Sequence, residues 1–168
     1  MLMGKAPILS VLVVLLIPVA GAGAADCTQP ASPKVDWQRC YVDERDLSGH
    51  DLTAARLRET SFQRSLLRGT VMIGADGYRA RFVSADLAGA RLDQGQFAEA
   101  DFTKADLAGA SLQGADLRRA RFFRATLRGA DLTGARTLGA DFLNADLSGA
   151  RWTDGTHICA EGSIGQCN

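Results

Sequence analysis

From Arg45 to Asp154 the chain divides into 22 consecutive five-residue blocks without an insertion, and in 20 of them the third residue is Leu, Phe, Met or Trp. Gly77 and Thr137 are the exceptions. The first residue of the block is Ala in 16 cases, as in Ala85-Asp86-Leu87-Ala88-Gly89 and Ala105-Asp106-Leu107-Ala108-Gly109. A period of five fits neither the 3.6 of a helix nor the 2.0 of a plain strand. Gly recurring at the end of the block would also cost a helix about 1 kcal/mol each time. The glycines must therefore serve another geometry.

These blocks resemble the pentapeptide-repeat family, whose consensus is Ala-(Asp/Asn)-Leu-x-x, and the resemblance covers 110 of the 168 residues. It implies an all-β fold, a right-handed quadrilateral β-helix in which four blocks make one coil of 20 residues, with about 5.5 coils over 45–154. The register can be tested within the chain, because residues 20 apart should then stack at roughly 4.8 Å. Every twentieth residue gives Phe62, Phe82, Phe102, Phe122 and Phe142 on one side. Another side reads Leu47, Leu67, Leu87, Leu107, Leu127 and Leu147. Both ladders are expected to form the core of a column on the order of 25 Å tall.

In such a block the central side chain points inward, the Ala two residues earlier fills a crowded inner position, and the other three residues face water. On the Leu side Gly49, Gly69, Gly89, Gly109, Gly129 and Gly149 hold the fifth position, where a corner with positive φ would favour glycine. This accounts for an excess of glycine, 18 residues in all. A thin core filled by side chains leaves no interior volume for a cofactor, and none is expected.

The ends of the chain carry different signals. Met1–Lys5 is short with one cation, Ile8–Ala20 is almost wholly apolar, and small residues follow, the order of a secretory signal peptide over 1–24. Cleavage after Ala22, Ala24 or Ala25 satisfies the small-residue rule. An uncleaved anchor is the rival reading, weakened by Pro18 and the Gly/Ala-rich second half of the stretch. The expected location is exported, periplasmic or secreted. An even cysteine count in an exported chain points to disulfides among Cys27, Cys40, Cys159 and Cys167, for which three pairings exist. Local pairing would clamp an N-terminal cap over 25–44 and a C-terminal cap over 155–168. No CxxC spacing supports a zinc site, and no metal is expected.

The balance of 19 Lys plus Arg against 19 Asp plus Glu hides a sorting by side. Outward charges over 45–154 sum to −1 on the Leu side, −2 on the side of Leu52 and Trp152, +2 on the side of Leu57 and Phe97, and +3 on the Phe side. On the Phe side the outward residues Val83, Phe123 and Leu143 run beside Arg64, Lys104 and Arg124, a candidate surface for a protein partner or an envelope component. The coil Ser65–Ser84 is a second candidate, with Leu66, Val71, Ile73 and Tyr78 around Gly77.

Catalytic groups are scarce. The chain has two histidines, His50 and His157, both at the ends of the repeat, and no recognisable nucleophile motif. Asp46, Asp86, Asp106 and Asp146 lie on one side, Asp86 and Asp106 one rung apart, but Asp here is the consensus residue of the family that the chain resembles. The expectation is a non-enzymatic, exported structural or protein-interaction scaffold. The alternative from the same resemblance is a duplex-DNA mimic that binds type II topoisomerases and confers quinolone resistance. That role needs a strongly negative surface and a cytoplasmic location, which the side charges and the leader oppose, and a nucleic-acid partner is disfavoured for the same reason.

Overall fold

The computed structural model describes residues 25–168; the expected leader lies outside them. The backbone climbs as a four-sided column in which each second-position residue from Asp36 to Asp131 bridges the residue 20 further on in parallel, as in Asp86↔Asp106 and Asp106↔Thr126. Each side contributes a single bridging residue and a turn, so the β character lies in isolated bridges instead of extended strands.

One block shows how the column holds together. The Leu87 amide donates to Asp106 C=O at 2.7 Å, the Gly89 amide to Ala108 C=O at 2.9 Å, and the Asp86 amide to Ser65 C=O one rung below at 3.0 Å. The fourth bond closes the turn, from the Ala90 amide to Leu87 C=O at 2.9 Å. Nearly every backbone polar group of an interior rung thereby finds a partner, which a buried chain path requires.

The corners extend the glycine argument. Gly89 (φ 67°) adopts the expected left-handed conformation, but so do Ala54, Glu59, Arg64, Arg79, Lys104 and Arg124 at the same fifth position on other sides. A non-glycine residue there costs about 1–2 kcal/mol. The rung-to-rung bonds offset that cost at the interior corners, so glycine is accommodated on the Leu side without being demanded elsewhere.

Regular coil begins earlier than the sequence period does. Asp36 bridges Arg56 and Tyr41 bridges Ser61, so Val35–Arg39 and Cys40–Glu44 are ordinary blocks and not part of a cap. Trp37 and Val42 take the buried central positions, and Val35 and Cys40 the inner first positions, none of them matching Ala-x-Leu. Six rungs run from 35 to 154. What remains beneath the first rung is a short segment held by the Cys27–Cys40 disulfide and by the Trp37 indole N–H, which donates to Gln29 C=O at 3.2 Å.

Inside, the Phe ladder stacks with ring centroids 4.9 to 5.1 Å apart and planes within 4° of parallel. Where Ala is replaced at the first position in the second coil, the hydroxyls of Thr60, Ser65 and Thr70 donate to Trp37, Val42 and Leu47 C=O one rung below, at 2.6, 2.8 and 2.9 Å. Burying them is tolerated because each is bonded. At the upper end the chain reverses: Ile158 pairs antiparallel with Arg151 and Ile164 with Asp146, and a Cys159–Cys167 disulfide ties this segment.

Candidate functional site

Every feature with chemical potential lies on the outside of the column. The repeated aspartates are turned toward their own backbone. Asp46 Oδ1 accepts the Ser48 amide at 3.0 Å, Asp106 the Ala108 amide at 2.9 Å, and Asp146 the Ser148 amide at 3.0 Å. Asp86 does the same with Ala88 at 3.2 Å. Each carboxylate thus satisfies a turn amide two residues on, the usual reason for Asp before a tight turn. The bonds from Ser48 hold Asp46 below the ordinary carboxylate range, and those from Thr53 do so for Asp51. Among the described residues no group of His, Cys, Asp and Glu has metal-binding geometry.

Charge ladders line the corner between the Phe97 side and the Phe side. Glu99 lies between Arg79 at 2.8 Å and Arg119 at 3.8 Å, and Asp101 is bonded by Arg121 at 2.7 Å. The Arg79 hydrogen bond holds the Glu99 carboxyl below its ordinary range. Together with Arg81 these five residues border an open trench of about 620 Å³. The trench has four arginines to two carboxylates, so it favours anions, although the internal pairs already neutralise half of the cations.

The Phe-side candidates share one outward face of the column. Val83 and Phe123 are half-buried and Leu143 is 59% exposed, stacked as one column of fourth-position side chains. The Arg124 guanidinium lies 5.1 Å over the Phe123 ring, a cation–π contact that holds the ring flat against the column. Neither Arg124 nor Lys104 pairs with a carboxylate among the described residues, whereas Arg64 is tied to Glu44 through Nε at 2.8 Å. Adding the block Cys40–Glu44 brings Asp43 and Glu44 onto this side, so its sum falls from +3 to +1 and the unpaired cations concentrate toward the C-terminal end. Leu66 of the second candidate is exposed, but Val71 and Ile73 are half-buried and the coil around them keeps the regular bridges.

Sequence reading missed two features. Tyr78 is flanked by the Arg58 and Arg79 guanidinium groups at 4.7 and 4.9 Å, above a notch of about 370 Å³ that opens where Ala98 replaces a larger fourth-position residue. The alternation Arg58, Tyr78, Ala98, Arg118 every 20 residues was the available signal. The other is the incomplete cover of the last rung. Phe142 and Trp152 are only half-buried there, while Phe62, Phe82, Phe102 and Phe122 are fully enclosed.

A family model described as pentapeptide repeats matches in 8 copies over residues 55–94, 80–119, 100–136 and 120–151. The solved structure of HetL, a pentapeptide repeat protein involved in heterocyst differentiation regulation from Nostoc sp. strain PCC 7120, is 31% identical, with a TM-score of 0.52 over 73% of this chain and 68% of HetL. Rfr23, a pentapeptide repeat protein from Cyanothece 51142, is similar at 20% identity and TM-score 0.38, over 70% of this chain and 85% of its own. No curated protein matches. The family match spans more than half of the sequence, and its matched segments, starting at residues 55, 80, 100 and 120, begin on the blocks that bridge at 20-residue intervals, so the chain belongs to the pentapeptide-repeat family.

Proposed function

We propose that the protein is an exported, non-enzymatic scaffold whose rigid right-handed column presents its Phe-side surface to a protein or other envelope component. The observation that carries the reading is the patch of Lys104, Phe123, Arg124 and Leu143: outward apolar groups beside cations that no internal carboxylate neutralises. A surface of this kind suits partner contact, since aromatic and cationic groups dominate interface energetics. Family membership supports a structural or binding role over catalysis. Disulfides at both ends support export, because such bonds persist in oxidising compartments. A duplex-mimicking role, which calls for a strongly negative surface, is not favoured by a balance of 19 Lys plus Arg against 19 Asp plus Glu.

Two measurements test this. The intact mass of protein from fractionated cells should show a chain lacking its leader in the exported fraction, and a full-length cytoplasmic species would overturn export. A photo-crosslinking residue at Phe123 should give a discrete adduct in the native envelope that is absent when it is placed at Thr133 on a different side. Equal labelling from both positions, or none, would return the Phe side to ordinary surface.

A further inference from the structure

The last rung is covered over only half of its perimeter. Above Leu147 and Trp152 the returning segment supplies the acceptors: Leu147 donates to Ser163 C=O at 2.9 Å, Gly149 to Cys159 C=O at 2.9 Å and Trp152 to His157 C=O at 2.8 Å. Above the other two sides, Arg136–Gly139 and Asp141–Asn144, no described residue supplies such an acceptor, although Gly165, which donates to Ala145 C=O, lies beside the Asn144 amide and Phe142 C=O at the edge of this half. In the rung below, Leu117 donates up to Arg136 C=O and Phe122 to Asp141 C=O, at 2.9 and 2.7 Å. Their counterparts in the last rung, the amides of Thr137, Gly139, Phe142 and Asn144, have no acceptor among the described residues, and the carbonyls of Ala135 and Ala140 have no backbone donor. Leu138 is 81% exposed and Leu143 59%, beside the half-buried Phe142 ring.

We propose that this open half-rung is a docking slot for an extended acidic segment of a partner protein, added as one further strand. Three observations select that occupant. The slot is one strand deep, because the segment tied by Cys159–Cys167 forms the next layer on the adjoining sides and walls it off from a broad globular face. It offers four amide donors against two carbonyl acceptors, the pattern of an unpaired sheet edge that recruits a strand. Its rim carries more cations than carboxylates: Arg119 and Arg136 make only long 3.8 Å pairs and Arg124 makes none, against Asp116, already bonded to Arg118, and Asp141. The same cations disfavour a second copy, since joining two open half-rungs would bring like charges together. Alternate side chains of the incoming strand would cover Leu138, Phe142 and Leu143, while its carboxylates reach the arginines.

The slot rests on the scaffold reading only in treating the protein as a binding module; the lateral patch and the slot can fail separately. The probe is a fluorescein-labelled peptide of two Asp-Val-Asp-Val segments joined by Asn-Gly, compared with the same peptide carrying Lys in place of Asp. The acidic peptide should bind saturably to the intact protein, with affinity falling as salt rises, and the Lys peptide should not. Hydrogen exchange of the Thr137, Gly139, Phe142 and Asn144 amides should slow about tenfold with peptide bound. The double substitution Leu138→Asp and Leu143→Asp, both at exposed positions, should weaken binding about tenfold while the melting temperature stays within a few degrees. Equal binding of both peptides, protection of other amides instead, or a peptide-free dimer that protects these four amides would each overturn the proposal. Peptide binding without a Phe123 crosslink would sink the lateral surface alone.

Discussion

Phe97 occupies the space that a side chain at Gly77 would need: a Cβ at Gly77 would lie 2.4 Å from Phe97 Cδ1. The first-position Gly95 completes the arrangement, with its own Cβ position 2.3 Å from Phe97 Cε2. Two departures from the repeat, one for a central Leu and one for an inner Ala, are thus the cost of a single oversized ring. The ring is held edge-on between Phe82 and Phe102, with centroids at 6.0 and 6.1 Å. Gly77→Leu should therefore destabilise by overpacking, by about 1–3 kcal/mol in urea unfolding. Combining it with Phe97→Leu, which restores Leu at both central positions, should recover part of that loss. Additive losses in the double variant would contradict the coupling.

The hydroxyl row in the second coil makes a second prediction. Thr60 is buried and donates to Trp37 C=O at 2.6 Å. Thr60→Val keeps the shape and removes the donor, and should cost about 1 kcal/mol. An unchanged unfolding midpoint would mean that the bond adds nothing net.

Acid should weaken the column. Asp46 and Asp51 are held low by bonds from Ser48 and Thr53, Glu99 by Arg79, and Asp116 by Arg118. Carboxyls with depressed folded-state values contribute stability that is fully present above their unfolded values and lost as pH falls through the folded ones. The unfolding midpoint should be flat above roughly pH 5 and fall below roughly pH 4. Asp116→Asn should make that fall shallower, and an unaltered slope would show that this carboxylate is not part of it.

The Arg79–Glu99–Arg119 column makes a salt-dependent prediction. Glu99→Lys would stack three cations on successive rungs where opposite charges now alternate. Melting temperature should drop at low ionic strength and recover in high salt, because exposed charges are screened within about a Debye length of 10 Å at 0.1 M. A loss that persists in high salt would point to lost packing.

Reduction tests the ends. The Cys27–Cys40 bridge closes a separation of 13 residues, for which chain entropy predicts about 3 kcal/mol. Cys40 also fills a buried first position, so Cys40→Ala should cost less in packing than Cys40→Ser. Differential scanning calorimetry with and without reductant would read this directly, and an unchanged profile would make the bridge dispensable.

Much of this architecture is legible residue by residue because the repeat is strict. The Phe ladder and the Leu ladder follow from counting by 20, and the bridges occur at that interval. The first two blocks were not legible, since Val35-Asp36-Trp37 and Cys40-Tyr41-Val42 lack the Ala and Leu that mark the period. They enter the coil because Trp37 and Val42 can be buried on the rung above and their backbone amides find acceptors in Arg56 and Ser61. Likewise Asp at the second position looks like a surface charge until the turn amide that it accepts is seen.

By itself the sequence determined the period of five, the coil of 20 and the residues that stack inside, because those depend on which side chains recur at which interval. It determined the side-by-side sorting of charge over the strict repeat for the same reason. Tertiary structure decided where the column starts, which cations lack a partner and which half of the last rung stays uncovered. Those outcomes depend on how the non-repeating ends fold back on the coil. The segment after Asp154 pairs antiparallel with two sides, through Ile158 and Ile164, and offers no acceptor to the other two, so the amides of Thr137, Gly139, Phe142 and Asn144 stay unpaired among the described residues.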